Sequence, residues 1–72
     1  MASVPVKIAL PKEITLDVLR RDLVLYCNIN KVTQRDLAYD IGAYPPDISH
    51  FLAGRISMPV RRVLKLVNLL YF

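Results

Sequence analysis

Two short apolar stripes joined by a tight turn constrain the fold of this chain more than any other feature. The stretch begins at Thr33 and reads TQRDLAYDIGAYPPDISHFLA. Thr33 is a good N-cap for a helix over residues 34–41, because its hydroxyl can accept a backbone N–H of the first turn. Gly42 then stands where a left-handed residue ends a helix. Pro46 suits the first position of a second helix, over residues 46–53. The stretch therefore predicts a helix-turn-helix.

The same stretch carries residues that occur, in register, in a family of DNA-binding proteins. They are Thr33-Gln34, Leu37-Ala38, Ile41-Gly42, Ile48-Ser49 and Phe51-Leu52-x-Gly54-Arg55. Over residues 16–70 the chain resembles the phage Cro and repressor proteins. The resemblance implies a mainly α, lambda-repressor-like domain of four to five helices that binds double-stranded DNA. An ordinary helical hairpin with the same residues is the competing interpretation.

The resemblance also implies which side chains would meet DNA. The second helix of the motif enters the major groove with its N-terminal part, and the first lies across the backbone. The base-facing positions fall on Tyr44, Pro46, Ser49 and His50. The expected phosphate contacts are Lys31, Gln34, Arg35, Arg55, Arg61 and Arg62. Asp47, on the same surface, must accept from a cytosine amino group or point away from phosphate.

The chain departs from the family at this surface, which has no Arg, Lys, Asn or Gln to make bidentate base contacts. Specificity would then be modest, or would come from DNA shape or from Arg55. For His50 a partly packed surface histidine is the alternative, and for Ser49 a solvent-facing hydroxyl. For Arg35 and Arg61 the alternative is a salt-bridged or solvated side chain.

The charge of the chain is unevenly placed. The net charge is +4, yet residues 1–53 hold six basic and six acidic groups and sum to zero. Residues 54–72 hold four basic groups and no acid; these are Arg55, Arg61, Arg62 and Lys65. The whole excess follows the predicted recognition helix, which suits a polyanionic partner. A solvated helix face is the alternative.

Several other classes of function find little support in the composition. Cys27 and His50 are the only cysteine and histidine, so neither a disulfide framework nor a four-ligand zinc site is expected. The carboxylates are not clustered, and two glycines cannot form a phosphate loop. We expect a non-enzyme of 72 residues and one domain, with no cofactor and no small-molecule ligand. Pro5 and Lys7 interrupt any signal peptide, and no window could span a membrane. A cytoplasmic location in a prokaryotic or phage-infected cell is expected.

The start of the chain predicts a β-strand. Residues 4–10, VPVKIAL, alternate between apolar and other positions within an arm of residues 1–11, although Pro5 restricts the strand to an edge. No second strand is evident, so pairing with the same strand of a second copy is expected, with C-terminal apolar residues beneath. The predicted dimer interface comprises Val4, Val6, Ile8, Leu10, Leu69, Tyr71 and Phe72. The alternatives are pairing with the chain's own C-terminus, or an arm that follows DNA through Lys7.

Two more helices are predicted, over residues 15–27 and 58–70, with a loop at 28–31. The first would open at Thr15 or Pro11 and bury Leu16, Leu19, Leu23 and Tyr26, with Arg20, Arg21 and Asp22 outward. The last would have Ser57 as its N-cap and bury Val60, Val63, Leu64, Val67 and Leu70. Leu66, Leu69, Tyr71 and Phe72 exceed what one inward stripe requires, which indicates either a further interface or a C-terminus that folds back onto the domain.

Together these features predict a small sequence-specific transcriptional regulator that acts as a dimer by occupying an operator. The alternative is a protein-binding module on the same scaffold, which would inhibit a host protein or neutralise a toxin. The poor set of base-reading side chains favours that alternative, whereas the one-sided charge favours DNA.

Overall fold

A computed structural model describes residues 5–72, and most of them lie in helices. The helices are α1 (Leu16–Asn30), α2 (Gln34–Ile41), α3 (Pro45–Leu52) and α4 (Val60–Tyr71). The predicted mainly helical fold is therefore confirmed. Residues 5–72 contain no β-strand, so the strand predicted for residues 4–10 does not form in the part that the structure describes. Val4, its first residue, lies outside the described residues.

The turn between α2 and α3 follows from its capping residues. The Thr33 hydroxyl accepts the Asp36 N–H at 3.1 Å, and Gly42 ends α2 in the left-handed region at φ 71°. α2 has the predicted bounds. α3 begins at Pro45 rather than Pro46 and ends at Leu52. Two consecutive prolines are tolerated there because the first N–H groups of a helix have no intrahelical partner.

All four helices contribute to one core. Its most deeply buried large side chains are Leu19, Leu23, Leu37, Ile41, Ile48, Phe51, Leu66 and Leu70. Ala38 is also buried, where a small side chain of α2 lies against the core. α2 therefore buries Leu37, Ala38 and Ile41, and α3 buries Ile48 and Phe51, whereas Leu52 is only half-buried.

α1 is longer than predicted and buries a different set of residues. The predicted N-cap at Thr15 is confirmed, since its hydroxyl accepts the Val18 N–H at 3.1 Å. The helix continues through Asn30 into the predicted loop and ends at Lys31, whose φ is 55°. Leu16 is exposed rather than buried, and Asp22 is 3% exposed rather than outward.

α4 starts later than predicted and is rotated relative to the predicted face. Pro59, not Ser57, is the N-cap, and Met58 packs into the core before the helix begins. Val60 and Leu64, predicted to be inward, are 74% and 62% exposed. Leu66, which had no place in the predicted stripe, is fully buried. The correct face is set by Leu66 and Leu70, which pack into the core shared with the other three helices.

Residues 5–10 form a segment without regular secondary structure, here called the strap, that contacts the C-terminal ends of α1 and α4. The Val6 N–H donates to Asn30 Oδ1 at 2.7 Å, and Asn30 Nδ2 donates to the Val6 carbonyl at 3.0 Å. The Ile8 N–H donates to the Leu70 carbonyl at 2.8 Å. The strap is thus bound to its own chain close to the C-terminus, which is one of the three arrangements that the sequence left open.

No helix within residues 5–72 combines the length and the apolar character that crossing a membrane would require.

Candidate nucleic-acid interface

The four predicted base-facing residues lie together on the outward side of α3. Ile48 and Phe51 turn into the core, and the opposite side of the helix remains open to solvent. All four residues of this α3 surface are exposed; they are Tyr44, Pro46, Ser49 and His50. The surface offers one hydroxyl, one imidazole and one phenol for hydrogen bonding.

The N-terminal end of α3 is fixed by Asp47. The Asp47 N–H donates to the Tyr44 carbonyl at 2.9 Å, and the Tyr44 N–H donates to Asp47 Oδ2 at 3.3 Å. The carboxylate also lies in the first turn, where the helix dipole favours negative charge. Asp47 therefore has a capping role that does not depend on any ligand.

Asp47 also forms an ion pair with α4. Arg62 Nη1 lies 3.2 Å from Asp47 Oδ2, and the two side chains are 30% and 31% exposed, Arg62 first. The pair offsets the one negative charge on α3. Arg62, a predicted phosphate contact, is therefore engaged within the protein, whereas Arg55 and Arg61 form no ion pair within residues 5–72.

The C-terminal end of α3 is held by a residue of α1. Arg20 Nε donates to the Phe51 carbonyl at 2.8 Å, and its guanidinium carbon lies 5.1 Å from the centre of the Phe51 ring. Arg20 Nη1 also lies 3.0 Å from Asp17 Oδ1. No local pattern links Arg20 to α3, since it is 31 positions away from Phe51 along the chain.

The remaining predicted phosphate contacts are exposed and lie on different elements. Gln34 and Arg35 begin α2, Lys31 is the C-cap of α1, and Arg61 follows Val60 in the first turn of α4. Arg55 is held just beyond α3, where its N–H donates to the His50 carbonyl at 2.9 Å.

Lys65 is a further cation beside this region, and its position was not predicted from the sequence. Its ammonium lies 3.8 Å from the position that a Cβ on Gly42 would occupy, and therefore beside the turn between α2 and α3. The side chain reaches this turn from the second turn of α4.

The predicted dimer residues do not share one environment. Val6, Leu10 and Phe72 are exposed, and Ile8 and Leu69 are half-buried. Tyr71 is buried, unlike the other described members of the set. These residues therefore do not form one continuous exposed face.

Tyr71 is held in the core by a hydrogen bond to α1. It is 8% exposed, and its hydroxyl donates to Asp22 Oδ2 at 2.6 Å. Burial, and then this hydrogen bond, raise the pKa of Tyr71. The Tyr71 side chain is not available to a second copy in this conformation, because the α1–α4 contact already covers it.

The described residues do not bring metal ligands together. Within residues 5–72 no three His, Cys, Asp or Glu side chains lie close enough to hold a metal ion. Burial raises the pKa of the half-buried Cys27 thiol, which lowers the fraction of reactive thiolate near neutral pH.

No family model matches the chain, and no curated protein or solved structure is detectably similar to it.

Proposed function

We propose that the protein is a small sequence-specific DNA-binding transcriptional regulator of the Cro/repressor type. In this proposal α2 and α3 form the helix-turn-helix of a lambda-repressor-like domain, and α3 is the recognition helix. The protein would act as a dimer in the cytoplasm of a prokaryotic or phage-infected cell, and it would block an operator by occupying it. The observation that carries the proposal is the exposed α3 surface together with the exposed cations of α2 and α4.

The electrostatics support a phosphate-rich partner. Arg55, Arg61 and Lys65 make no ion pair within residues 5–72, and residues 54–72 contain no acid. Cations that are not neutralised within the protein can replace the counterions of a duplex, which is the main source of sequence-independent affinity. Gln34, at the start of α2, adds a side chain beside free backbone N–H groups.

A small set of side chains would recognise the DNA sequence. Ser49 can exchange hydrogen bonds with several base edges, and His50 can donate to guanine N7 or O6. Pro46 and Tyr44 offer apolar surface, which suits a thymine methyl group. With so few polar groups, DNA shape would contribute a large share of the preference.

Selection of bound sites from random duplex DNA tests the proposal directly. Enrichment of a palindromic motif is expected, because a two-fold dimer reads two half-sites about 34 Å apart. Affinity should also fall by orders of magnitude between low and moderate salt, because several phosphate contacts release counterions. A flat salt response, or no duplex binding at low salt, would exclude this function.

A protein-binding module is the second candidate, because the exposed apolar side chains favour it. Tyr39 is 87% exposed on α2, and Val60 and Leu64 are exposed on α4. Tyrosine is enriched at protein interfaces, and exposed aliphatic side chains lose contact with water when a partner covers them. Replacing Tyr39, Val60 and Leu64 by serine separates the two candidates. A wild type and a triple variant that bind duplex DNA equally well favour the first candidate. A wild type that binds no duplex DNA but binds a protein partner that the triple variant no longer binds favours the second.

A further inference from the structure

The ion pair between Asp47 and Arg62 lies where the proposed recognition helix would meet the DNA backbone. Asp47 is the one acidic residue of α3. Among the cations of residues 54–72, Arg62 is the one that forms an ion pair within the described residues. A carboxylate in this place repels phosphate, so its presence requires a physical account. The contact with the Tyr44 N–H does not by itself require a charge, because the amide oxygen of an asparagine could also accept it.

The two oxygens of Asp47 are used unequally. Oδ2 accepts both the Tyr44 N–H at 3.3 Å and Arg62 Nη1 at 3.2 Å. Oδ1 has no donor within residues 5–72, and the side chain is 31% exposed. The carboxylate therefore retains one acceptor that its ion pair does not use.

We infer that Asp47 is a specificity-determining residue of the proposed DNA interface. It lowers affinity for random DNA because it holds Arg62 in an internal pair, so that this guanidinium makes no sequence-independent phosphate contact. It raises affinity for the correct site because Oδ1 accepts a hydrogen bond from a cytosine N4 amino group, which is the base edge that carboxylates recognise in the major groove. The inference rests on the proposed function.

The isosteric variant Asp47→Asn tests this inference. Asparagine keeps an oxygen that can accept the Tyr44 N–H, so α3 should remain capped, and circular dichroism and thermal melting check the fold. The variant removes one negative charge, so Arg62 keeps at most a neutral hydrogen bond to the new amide oxygen and becomes available to phosphate. Affinity for random duplex should rise about threefold to tenfold, and the salt dependence should steepen by about one unit of slope per bound copy.

Site selection provides the second measurement. The wild-type motif should contain a cytosine at one position of each half-site, and Asp47→Asn should lose that cytosine or exchange it for adenine, which asparagine reads. Adding Arg62→Gln to Asp47→Asn should remove the gain on random DNA, because the released guanidinium supplies it. Glu13→Gln is the matched control, since it makes the same change of charge at an exposed residue outside the helix-turn-helix.

The possible outcomes distinguish a wrong inference from a wrong function. If the wild type binds duplex DNA and Asp47→Asn changes neither the random affinity nor the cytosine preference, Asp47 is a structural cap only and the inference is wrong. The inference is also wrong if Glu13→Gln gives an equal gain, because net charge alone then explains it. If the wild type binds no duplex at low salt, the proposed function fails and this inference fails with it.

Discussion

At the scale of single residues, Asp22 shows how a partner far away in the sequence allows a carboxylate to be buried. Asp22 accepts the Tyr71 hydroxyl at 2.6 Å and lies 3.3 Å from Arg21 Nε, so its carboxylate is satisfied although it is almost completely buried. A buried carboxylate without partners would be strongly unfavourable. This hydrogen bond therefore ties the end of α4 to the middle of α1.

Removing the Tyr71 hydroxyl should destabilise the fold. In Tyr71→Phe the ring still fills the core, but Asp22 loses its buried donor. Hydrogen bonds to charged groups contribute about 1.5–3 kcal/mol, so a loss of this order is expected in urea unfolding at pH 7. Tyr44→Phe is the control, since Tyr44 is 73% exposed and should change stability little. Equal effects of the two variants would contradict the role assigned to the Asp22–Tyr71 bond.

The same hydroxyl makes stability depend on alkaline pH. Burial and the Asp22 bond raise the pKa of Tyr71 above the value of about 10 that an unfolded chain shows. Its contribution is therefore complete below pH 10 and is lost as the pH rises through the folded-state pKa. Unfolding free energies between about pH 7 and pH 11 should fall more steeply for the wild type than for Tyr71→Phe. Some slope should persist in the variant, because burial also raises the pKa of Tyr26.

Residues of the proposed interface should fall into two groups. Gln34→Ala and Arg55→Ala should weaken binding to all sequences about equally, since phosphate contacts carry no sequence information. Ser49→Ala and His50→Ala should instead narrow the gap between specific and random DNA by about 1–3 kcal/mol for a good base contact. Titration of both DNAs with each variant measures this. If His50→Ala leaves the difference in affinity between specific and random DNA unchanged, His50 is a surface histidine without a base contact. DNA shape would then account for more of the sequence preference.

At the scale of elements, α4 offers a test of the rotated helix face. Leu66 is fully buried, whereas Leu64 is 62% exposed on the same helix. Leu66→Ala should cost about 2–5 kcal/mol, because it leaves a cavity in the core. Leu64→Ala removes the same side-chain atoms from an exposed position and should lower the free energy of unfolding by less than about 1 kcal/mol. Chemical unfolding measures the loss of stability in both variants. A larger loss in Leu64→Ala than in Leu66→Ala would support the helix face that the sequence predicts.

The elements differ in how far the sequence determines them, for physical reasons. α2 could be predicted to the residue because Thr33 and Gly42 mark its ends by local hydrogen bonding and backbone conformation. α4 could not be placed in phase, because its apolar side chains cover more of the helix surface than one inward stripe requires, and the polar face alone does not fix which of them are buried. The burial of Asp22 depends on Tyr71, 49 residues away, and no local pattern encodes such a contact.

The proposed site divides in the same way. The exposure of Ser49 and His50 follows from the helical period of α3, so it could be predicted from the sequence. The contacts of Arg20 and Arg62 with α3 could not be foreseen, because both arginines come from other helices. The strand predicted for the strap does not form within residues 5–10, because apolar alternation does not show which groups will meet the backbone. In the fold, the side-chain amide of Asn30 pairs with both backbone groups of Val6, and the Leu70 carbonyl accepts the Ile8 N–H.

At the scale of the whole molecule, several of the exposed apolar side chains lie on the strap or on the helix ends that it contacts. Val6 and Leu10 are 56% and 57% exposed, and Phe72 is 70% exposed. Ile29, 46% exposed, precedes the residue that binds Val6. The hydrogen bonds from Val6 to Asn30 and from Ile8 to Leu70 bring these side chains to one end of the molecule. A chain that is 54% hydrophobic thus keeps an apolar surface that a second copy could cover.

We predict that this end of the molecule forms the dimer and that α4 does not. Val6→Ser with Leu10→Ser should give a monomer by sedimentation equilibrium at micromolar concentration. Helicity should be retained, because both side chains are exposed and the strap's backbone bonds remain. Val60→Ser with Leu64→Ser is the matched control and should stay dimeric. Substitution is preferable to removing residues 1–10, which would also take the half-buried Ile8 from the core. A wild type that is monomeric, or a dimer lost only in the α4 variant, would contradict the prediction. In the second case the interface would pass to α4, whose exposed cations would then have to lie beside those of a second copy.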